Sequence, residues 1–567
     1  MNFKTEIANL IVSQFENSPL TRVEVEEMIE VPANKEMGDY AFPCFKLAKT
    51  FRKAPNIIAA DIVSGFHKPD FISKVEAVAA YVNFFTDKST YVSSVINKIS
   101  EQNDYGYQNI GQGRNVVVDY SSPNIAKPFH VGHLRSTAIG RAICNIYKKL
   151  GYNVVGVNHL GDWGTQFGRL IVAYKMWGSK EAIEKDGIQE LMRIYVKFHE
   201  EEEKNSSLAD EARTWFVKMQ EGDEEAISLW KWFYEISMKE FERVYKRLDV
   251  KFDSYAGESF YNDKMDAIVK ELNDKGLLQE SQGAKIVDLS EYNMPPCLII
   301  RSDGGTLYAT RDITAAIYRK NTYDFAKCIY LTALDQNLHF AQWFKVIKKM
   351  GYSWSEDLVH VPFGLVSLET GKLSTRKGNV ILMENLLDEA VEKTKQIIDS
   401  KNPNLENKEE IAEQVGIGAV IFNDLYNGRI KDVVFSWEKM LNFDGETGPY
   451  VQYTHARACS VLRKANTEID FKNIDFSLIT DTSSVDTVKL LSIFPDKIKE
   501  AADKYEPSVI TRYIVDLSQA FNKFYHDNPI LTDDENLKMA RLAIVYTVKK
   551  VLASGLAILG IKAPEKM

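Results

Sequence analysis

Cysteine is scarce. The chain of 567 residues holds five, Cys44, Cys144, Cys297, Cys328 and Cys459, and none stands in a CxxC pair or at ligand spacing from a histidine. An odd, scattered set excludes a disulfide framework and a zinc ribbon, and reads as ordinary thiols of a reducing cytoplasm with no metal site. Long apolar runs are also missing. Leu542 to Ile561 comes closest, but Lys549 and Lys550 at its middle would be costly in lipid, so the stretch reads as a buried helix and no membrane is expected. The N-terminus MNFKTEIANLIVSQF carries acids and has no signal-peptide pattern. Internal repeats and low-complexity tracts are absent. Positive charge is not in excess: 70 Lys and Arg against 79 Asp and Glu leave −9. That argues against bulk nucleic-acid affinity and still allows a local basic face.

What is present is a globular composition, 45% hydrophobic and 26% charged, in a chain too long for one core. Three or more domains are expected. The centre of the chain is DYSSPNIAKPFHVGHL, Asp119 to Leu134. The β-branched run Val116 to Tyr120 before it predicts a buried parallel strand. Leu134, Ala138, Ile139, Ala142, Ile143, Ile146 and Leu150 after it form one helical stripe that stops at Gly151. Val154 to Leu160 closes a βαβ unit, whose ligands sit at the strand's carboxyl end against the helix N-terminus. His130-Val-Gly-His133 falls there. Unpaired N–H groups suit phosphate, Gly132 lets a nucleotide approach the backbone, and two imidazoles on one turn can donate to phosphoryl oxygens in an in-line displacement.

Residues 1 to about 105 read as a small α+β module, with helical patterns at Glu6–Phe15 and Phe45–Phe66 around Pro55, and a strand at Tyr81–Phe85. Ser100 to Asn115 is polar and glycine-rich, a linker. From about Lys180 to Asp253 charged helices, with HEEEEK at His199–Lys204, read as an insertion with solvated faces. Strand character returns at Cys297–Gly305, Lys327–Leu334 and His360–Leu368; a helix carrying Tyr308 and Asp312 lies between the first two. These predict a second parallel half. GKLSTRKGN, Gly371 to Asn379, is a basic loop that can cross the same site. Beyond about Asn442 the pattern is helical; NFDGETGPY is the hinge, and Thr532 with Glu535 has capping-box spacing for the last helix.

SSPNIAKPFHVGHLRST followed by GKLSTRKGN resembles the paired signatures of class I aminoacyl-tRNA synthetases. With PANKEMGDYAFPCF (Pro32–Phe45), GPYVQYTHAR (Gly448–Arg457) and the ending LGIKAPEKM, the whole chain is similar to the arginyl-tRNA synthetase family. The resemblance implies a multidomain α/β protein. Its parts are a small α+β N-terminal domain that binds the tRNA elbow (1–105) and a Rossmann-like parallel-sheet catalytic domain (110–380) with a helical insertion at about 180–295. A connecting helical region (381–445) and a C-terminal all-α anticodon-binding bundle (446–567) follow. It implies ATP-dependent attachment of arginine to its tRNA through arginyl-adenylate in translation. ATP would enter as its Mg2+ complex, and the enzyme would be a cytoplasmic monomer with no membrane partner.

Carried over residue by residue, the resemblance places ATP on His130, Gly132, His133 and Lys372. Lys372, Ser374, Arg376 and Lys377 form the phosphate loop. This chain departs from the class pattern there: Thr375 replaces the usual second lysine and Arg376 the last serine. Family members without that lysine tend to carry one before the first signature, and Lys127 matches. Arginine is assigned to Asp119, Ser122, Asn124, His130, Tyr308, Asp312 and Gln336. The charge argument is independent: a guanidinium keeps its proton and prefers paired carboxylates, and Asp312 stands one turn after Tyr308 on the same face. tRNA is assigned to Tyr81 and Asn83 in the first module and to Tyr450, Gln452 and Arg457 near the hinge, where aromatics can stack bases and arginine can pair phosphate. The alternatives are an HxGH nucleotidyltransferase of another family and a catalytically silent tRNA-binding paralogue.

Overall fold

The computed structural model describes residues 3–15, 20–32, 34–302, 305, 307–368, 371–372 and 381–567. They form two compact units. One comprises Gly106–Ala456, Pro495–Val515 and Leu552–Met567; the other Met1–Tyr105, Arg457–Phe494 and Asp516–Val551.

The first unit is built on β1 (Asn115–Asp119), α1 (Leu134–Lys149) and β2 (Asn153–Val157). Further along come α2 (Glu224–Arg247), α3 (Tyr308–Tyr323), β3 (Lys327–Ala333), α4 (Asn337–Lys349) and β4 (Leu358–Phe363). The four strands make one sheet in the order β4-β3-β1-β2, every pair parallel. Val116, Val117 and Val118 in its middle are 0% exposed, as a central strand covered on both faces requires. Ala142, Ile143 and Ile146 are buried along α1. Gly140 on α1 lets the helix lie against Tyr120, whose ring a Cβ would meet at 2.3 Å.

One predicted strand and the end of another take other partners. Cys297–Ile300 lies outside the parallel sheet and pairs antiparallel with Ala284–Val287, which pairs with Leu278–Ser281. Its pattern is consistent with one wet face: Cys297 and Ile299 are buried while Leu298 is 40% exposed. The predicted strand at His360–Leu368 is two strands. β4 ends at Phe363, and β5 (Val366–Leu368) pairs with β6 (Gly371–Lys372) and, in parallel, with β7 (Val433–Phe435). Apolar patterning identifies a strand but not its neighbour, so neither change was legible. The insertion's faces are not all solvated either: α2 turns Ser237 and Tyr245 inward.

In the second unit, the strand Tyr81–Thr86 lies between Tyr40–Pro43 and Ile72–Val78, antiparallel to both, with helices Phe3–Ser13 and Pro55–Gly65. The helical pattern at Phe45–Phe66 is broken into Leu47–Phe51 and Pro55–Gly65. Arg52 turns left-handed (φ 51°) and Pro55 opens the next helix, where its missing N–H costs nothing. The last long helix is Glu535–Ile558, and its cap is Asp534 rather than Thr532: Asp534 Oδ1 accepts from the Asn536 and Leu537 N–H groups. Val545 and Val548 of this helix are 0% exposed. Lys550 donates to the Ile99 carbonyl at 2.8 Å, so its ammonium is hydrogen-bonded beside an apolar core. No helix among the described residues is long and apolar enough to cross a membrane.

Candidate active site

The chain leaves β1 through a strained loop. Ser121, Ser122 and Ala126 have φ of 71°, 45° and 62°, which non-glycine residues hold only when their surroundings force it. The forcing groups are identifiable. Ser121 N–H donates to Ser136 Oγ (2.8 Å), and Ser122 N–H to Asn158 Oδ1 (3.1 Å). Helix α2 supplies the rest. Ser237 Oγ accepts from Ala126 N–H (2.9 Å) and Glu240 Oε1 from Phe129 N–H (3.2 Å). The Tyr245 hydroxyl bonds Ser121 Oγ at 2.8 Å and accepts from Asn158 at 2.9 Å. A helix that composition marks as a charged insertion is thus a buttress of the signature loop.

At the end of this loop the two imidazoles are stacked, centroids 4.0 Å apart. Gly132 N–H donates to His130 Nδ1 (3.0 Å), and His130 N–H donates to His133 Nδ1 (3.2 Å). Each Nδ1 is therefore an acceptor, so each neutral ring carries its proton on Nε2 and can donate from there. Burial, then the nearby Lys127, pushes the His130 pKa down to about 4; burial and His130 hold His133 well below the ordinary histidine value. Gly132 also has a local packing role. A Cβ there would lie 2.7 Å from His130 Cε1, so the missing side chain makes room for the imidazole itself.

The acids gather at the same carboxyl edge of the sheet, where β1 ends in Asp119, β2 runs on to His159 and β3 runs on to Gln336. His159 is held below the usual value by burial, in the fields of Asp119, Arg319, Asp312 and Asp162. Glu258 stands in the fields of Arg311, Asp162 and Asp312, and burial raises its pKa to about 7. Asp119 and Asp312 thus act on one imidazole. Asp119, however, is not open. Arg319, 1% exposed, contacts its Oδ2 at 2.8 Å, and Ser122 Oγ donates to its Oδ1 at 3.0 Å. Asp312 pairs with His339 Nε2 at 2.5 Å and keeps 24% of its side chain exposed. Arg311 lies 3.5 Å from Glu258. Four carboxyls against two guanidiniums leave a formal surplus of two negative charges around Asp312. Tyr308, one turn earlier on α3, is 66% exposed, and Gln336 and Asn124 are exposed. The sequence reading missed Glu258, His159, Asp162 and His339; each is a lone acid or histidine with no spacing signal.

Asn124 is bridged to Gly161, and a Cβ at Gly161 would fall 2.0 Å from Asn124 Oδ1. Gly161→Ala is therefore expected to displace Asn124 and raise the KM for an amino-acid ligand roughly tenfold, as overpacking by 1–3 kcal/mol implies. Steady-state kinetics checks this, and an unchanged KM would remove Asn124 from the site.

Of the basic loop, only the backbone of Gly371 and Lys372 is described, as β6; Ser374, Thr375, Arg376 and Lys377 lie outside the described residues. Among the expected tRNA contacts, Asn83 and Gln452 prove to be interior, 1% and 0% exposed. Asn83 is buried even though it shares its strand face with the half-buried Tyr81 and Phe85, and Gln452 donates to the Lys562 carbonyl at 2.9 Å. Both are withdrawn as surface contacts. Tyr81 packs edge-on against Phe45, which is 54% exposed. Arg457 lies over Tyr525, which is 41% exposed.

Residues 94–437 match the family model for the class I (R) tRNA synthetase catalytic domain, 2–86 that for the arginyl tRNA synthetase N-terminal domain, and 451–567 that for the DALR anticodon binding domain. The arginine–tRNA ligase of Alkaliphilus metalliredigens is 58% identical over the full length of both chains, and that of Clostridioides difficile 55%. The solved arginyl-tRNA synthetase of Thermus thermophilus superposes with a TM-score of 0.84 at 25% identity, covering both chains fully. With the signature turn, the acid cluster and end-to-end similarity in agreement, the chain belongs to the arginyl-tRNA synthetases of class I.

Proposed function

We propose a division of labour at the edge of the sheet: the imidazoles of His130 and His133 serve ATP, and the acid cluster around Asp312 serves arginine. As a member of its family the chain catalyses ATP-dependent attachment of arginine to its tRNA, in two steps. The arginine carboxylate attacks the α-phosphorus of ATP, giving arginyl-adenylate and pyrophosphate; the terminal adenosine of the tRNA then takes the arginyl group and AMP leaves.

The observation that carries the arginine assignment is the surplus of carboxyls beside an exposed Tyr308. A guanidinium cannot shed its proton, so its site must supply unneutralised acid. Asp312 provides it, and Glu258 adds a second charge once the guanidinium draws off its proton. Asp119, already paired, orients Arg319 and Ser122 instead. Tyr308 would cover the guanidinium, while Asn124, Ser122 and Gln336 would bind the α-amino end. On the ATP side, Nε2–H donors at His130 and His133 face developing phosphoryl charge without first releasing a proton. Lys127, Lys372, Arg376 and Lys377 would neutralise the departing pyrophosphate. Mg2+ would arrive with ATP; among the described residues no group of three acids, histidines or cysteines is placed to hold a metal ion. For tRNA, Tyr81 with Phe45 offers an aromatic contact in the N-terminal module. Tyr450 and Arg457, with Tyr525 added from the structure, offer base-stacking and phosphate contacts in the C-terminal helices. The enzyme would act as a cytoplasmic monomer.

ATP–pyrophosphate exchange with arginine, run with and without tRNA, tests the reading. Exchange in either condition supports it; none in both would leave a silent tRNA-binding protein, and exchange with another acid substrate would leave a different nucleotidyltransferase.

Glu258 gives a second test. Its carboxyl is half protonated near pH 7 before arginine arrives. A guanidinium beside it favours the charged form, so binding releases a proton and tightens as pH rises from about 6 to 8. The sign for stability is opposite: a carboxyl raised in the folded state contributes stability below its unfolded value of 4.5 that is lost as pH rises through about 7. Calorimetry in buffers of different ionisation heat should find proton release near pH 7 that disappears in Glu258→Gln. Equal release in both proteins would remove Glu258 from the site.

A further inference from the structure

We propose that Arg135, through its buried ion pair with Asp424, is a positioning residue for the ATP step, attaching the strand that enters the second signature to the helix that opens at the first. The proposal rests on the functional reading above.

Arg135 is 0% exposed and lies on the first turn of α1, just after His133. Its Nε is 3.1 Å from Asp424 Oδ1, whose side chain is 3% exposed. Asp424 belongs to α5 (Lys408–Tyr426). Replacing such a pair by apolar residues of similar volume is often neutral or stabilising, so stability is a poor reason for it. Geometry offers a better one. Arg135 Nη1 donates to two carbonyls from distant parts of the chain, Gly364 at 3.3 Å and Lys431 at 2.5 Å. Those two segments are locked to each other. Gly364 N–H donates to the Arg429 carbonyl (2.8 Å), Leu365 N–H to Asp432 Oδ1 (2.7 Å) and Val433 N–H to the Leu365 carbonyl (2.9 Å). β5 and β7 continue the pairing in parallel. A Cβ on Gly364 would lie 2.6 Å from the Ile430 carbonyl oxygen, so the segments touch. Arg135 holds this block on α1, and Asp424 holds the guanidinium.

The exit side is held on the same stretch by backbone alone. Val131 N–H donates to the Ile381 carbonyl (3.1 Å), and Met383 N–H to the Phe129 carbonyl (2.8 Å), bridging His130 to Leu382. The chain thus enters the second signature from a strand fixed by Arg135 and leaves it beside His130. A planar fork reaches two carbonyls and a carboxylate together; an ammonium cannot hold the same geometry.

The test uses the full-length enzyme with its tRNA in arginine-dependent pyrophosphate exchange. The Arg135→Leu/Asp424→Leu double variant is expected to melt close to the parent. Its kcat should fall roughly 100-fold, as misplacement by about 1 Å of a group remote from the chemistry can cause, and KM for ATP should rise while KM for arginine stays within about twofold. Arg135→Lys, which keeps the charge and loses the fork, should show the same split to a smaller degree and stands in if the double variant does not fold. Parental kcat in either folded variant overturns the proposal, as does an arginine KM that rises as much as the ATP KM. Absence of exchange in the unmodified enzyme overturns the functional reading and this inference with it.

Discussion

Asp312→Ala should abolish arginine activation, lowering kcat/KM for arginine in pyrophosphate exchange by roughly 10²–10³ while ATP binding is kept. Truncating one partner of a buried charge pair costs about 2–5 kcal/mol, and each 1.4 kcal/mol is tenfold. The cost is high here because nothing nearby can replace the charge: Asp119 is taken by Arg319, and Glu258 is itself held near neutral by burial. Asp312→Asn preserves shape and removes charge, so a comparable loss in both variants isolates the charge as the cause. The same logic sets specificity. A neutral side chain such as citrulline leaves buried acids uncompensated and should be rejected strongly, with no need for editing. Near-parental affinity of Asp312→Ala for arginine, by calorimetry, would refute the pocket.

His133→Ala should lower kcat by roughly 10² or more and leave both KM values nearly unchanged, the pattern of a donor that acts only as charge develops. The associated pH profile is diagnostic. A free imidazole would change charge near 6.5, whereas burial lowers His130 to about 4 and His133 well below 6.5. Both rings stay neutral Nε2–H donors through the physiological range, so no break in kcat near pH 6.5 should come from them. Their contribution to stability has the matching sign. It is present in full above the unfolded value of about 6.5, and is lost as pH falls towards 4 because the unfolded chain takes protons first. A KM-only effect, or a break at pH 6.5 that His133→Ala removes, would count against this role.

The signature turn was legible because its residues are local: a valine strand, HVGH and an amphipathic helix occupy one continuous stretch, and their periods state the βαβ unit outright. The antiparallel pairing of Cys297–Ile300 was not legible, since an apolar strand does not declare its neighbour, and β-pairing is set by packing between distant segments. The burial of Asn83 and Gln452 was hidden for a related reason. A polar side chain on a strand or helix reads as surface until the opposite wall is known. The role of α2 was missed because hydrogen bonds from Ser237, Glu240 and Tyr245 to a loop more than a hundred residues away leave no trace in composition.

The sequence alone determined the family, the signature turn between strand and helix and the need for acids to hold a cation, because motif order and side-chain charge survive without coordinates. Tertiary structure decided which acid a guanidinium already neutralises and which it does not. Asp119 and Asp312 are both carboxylates one strand or one helix from the signature, yet Arg319 neutralises the first while the second shares its surroundings with a half-protonated Glu258. Net charge at a point in space depends on every group brought there, and only folding brings them.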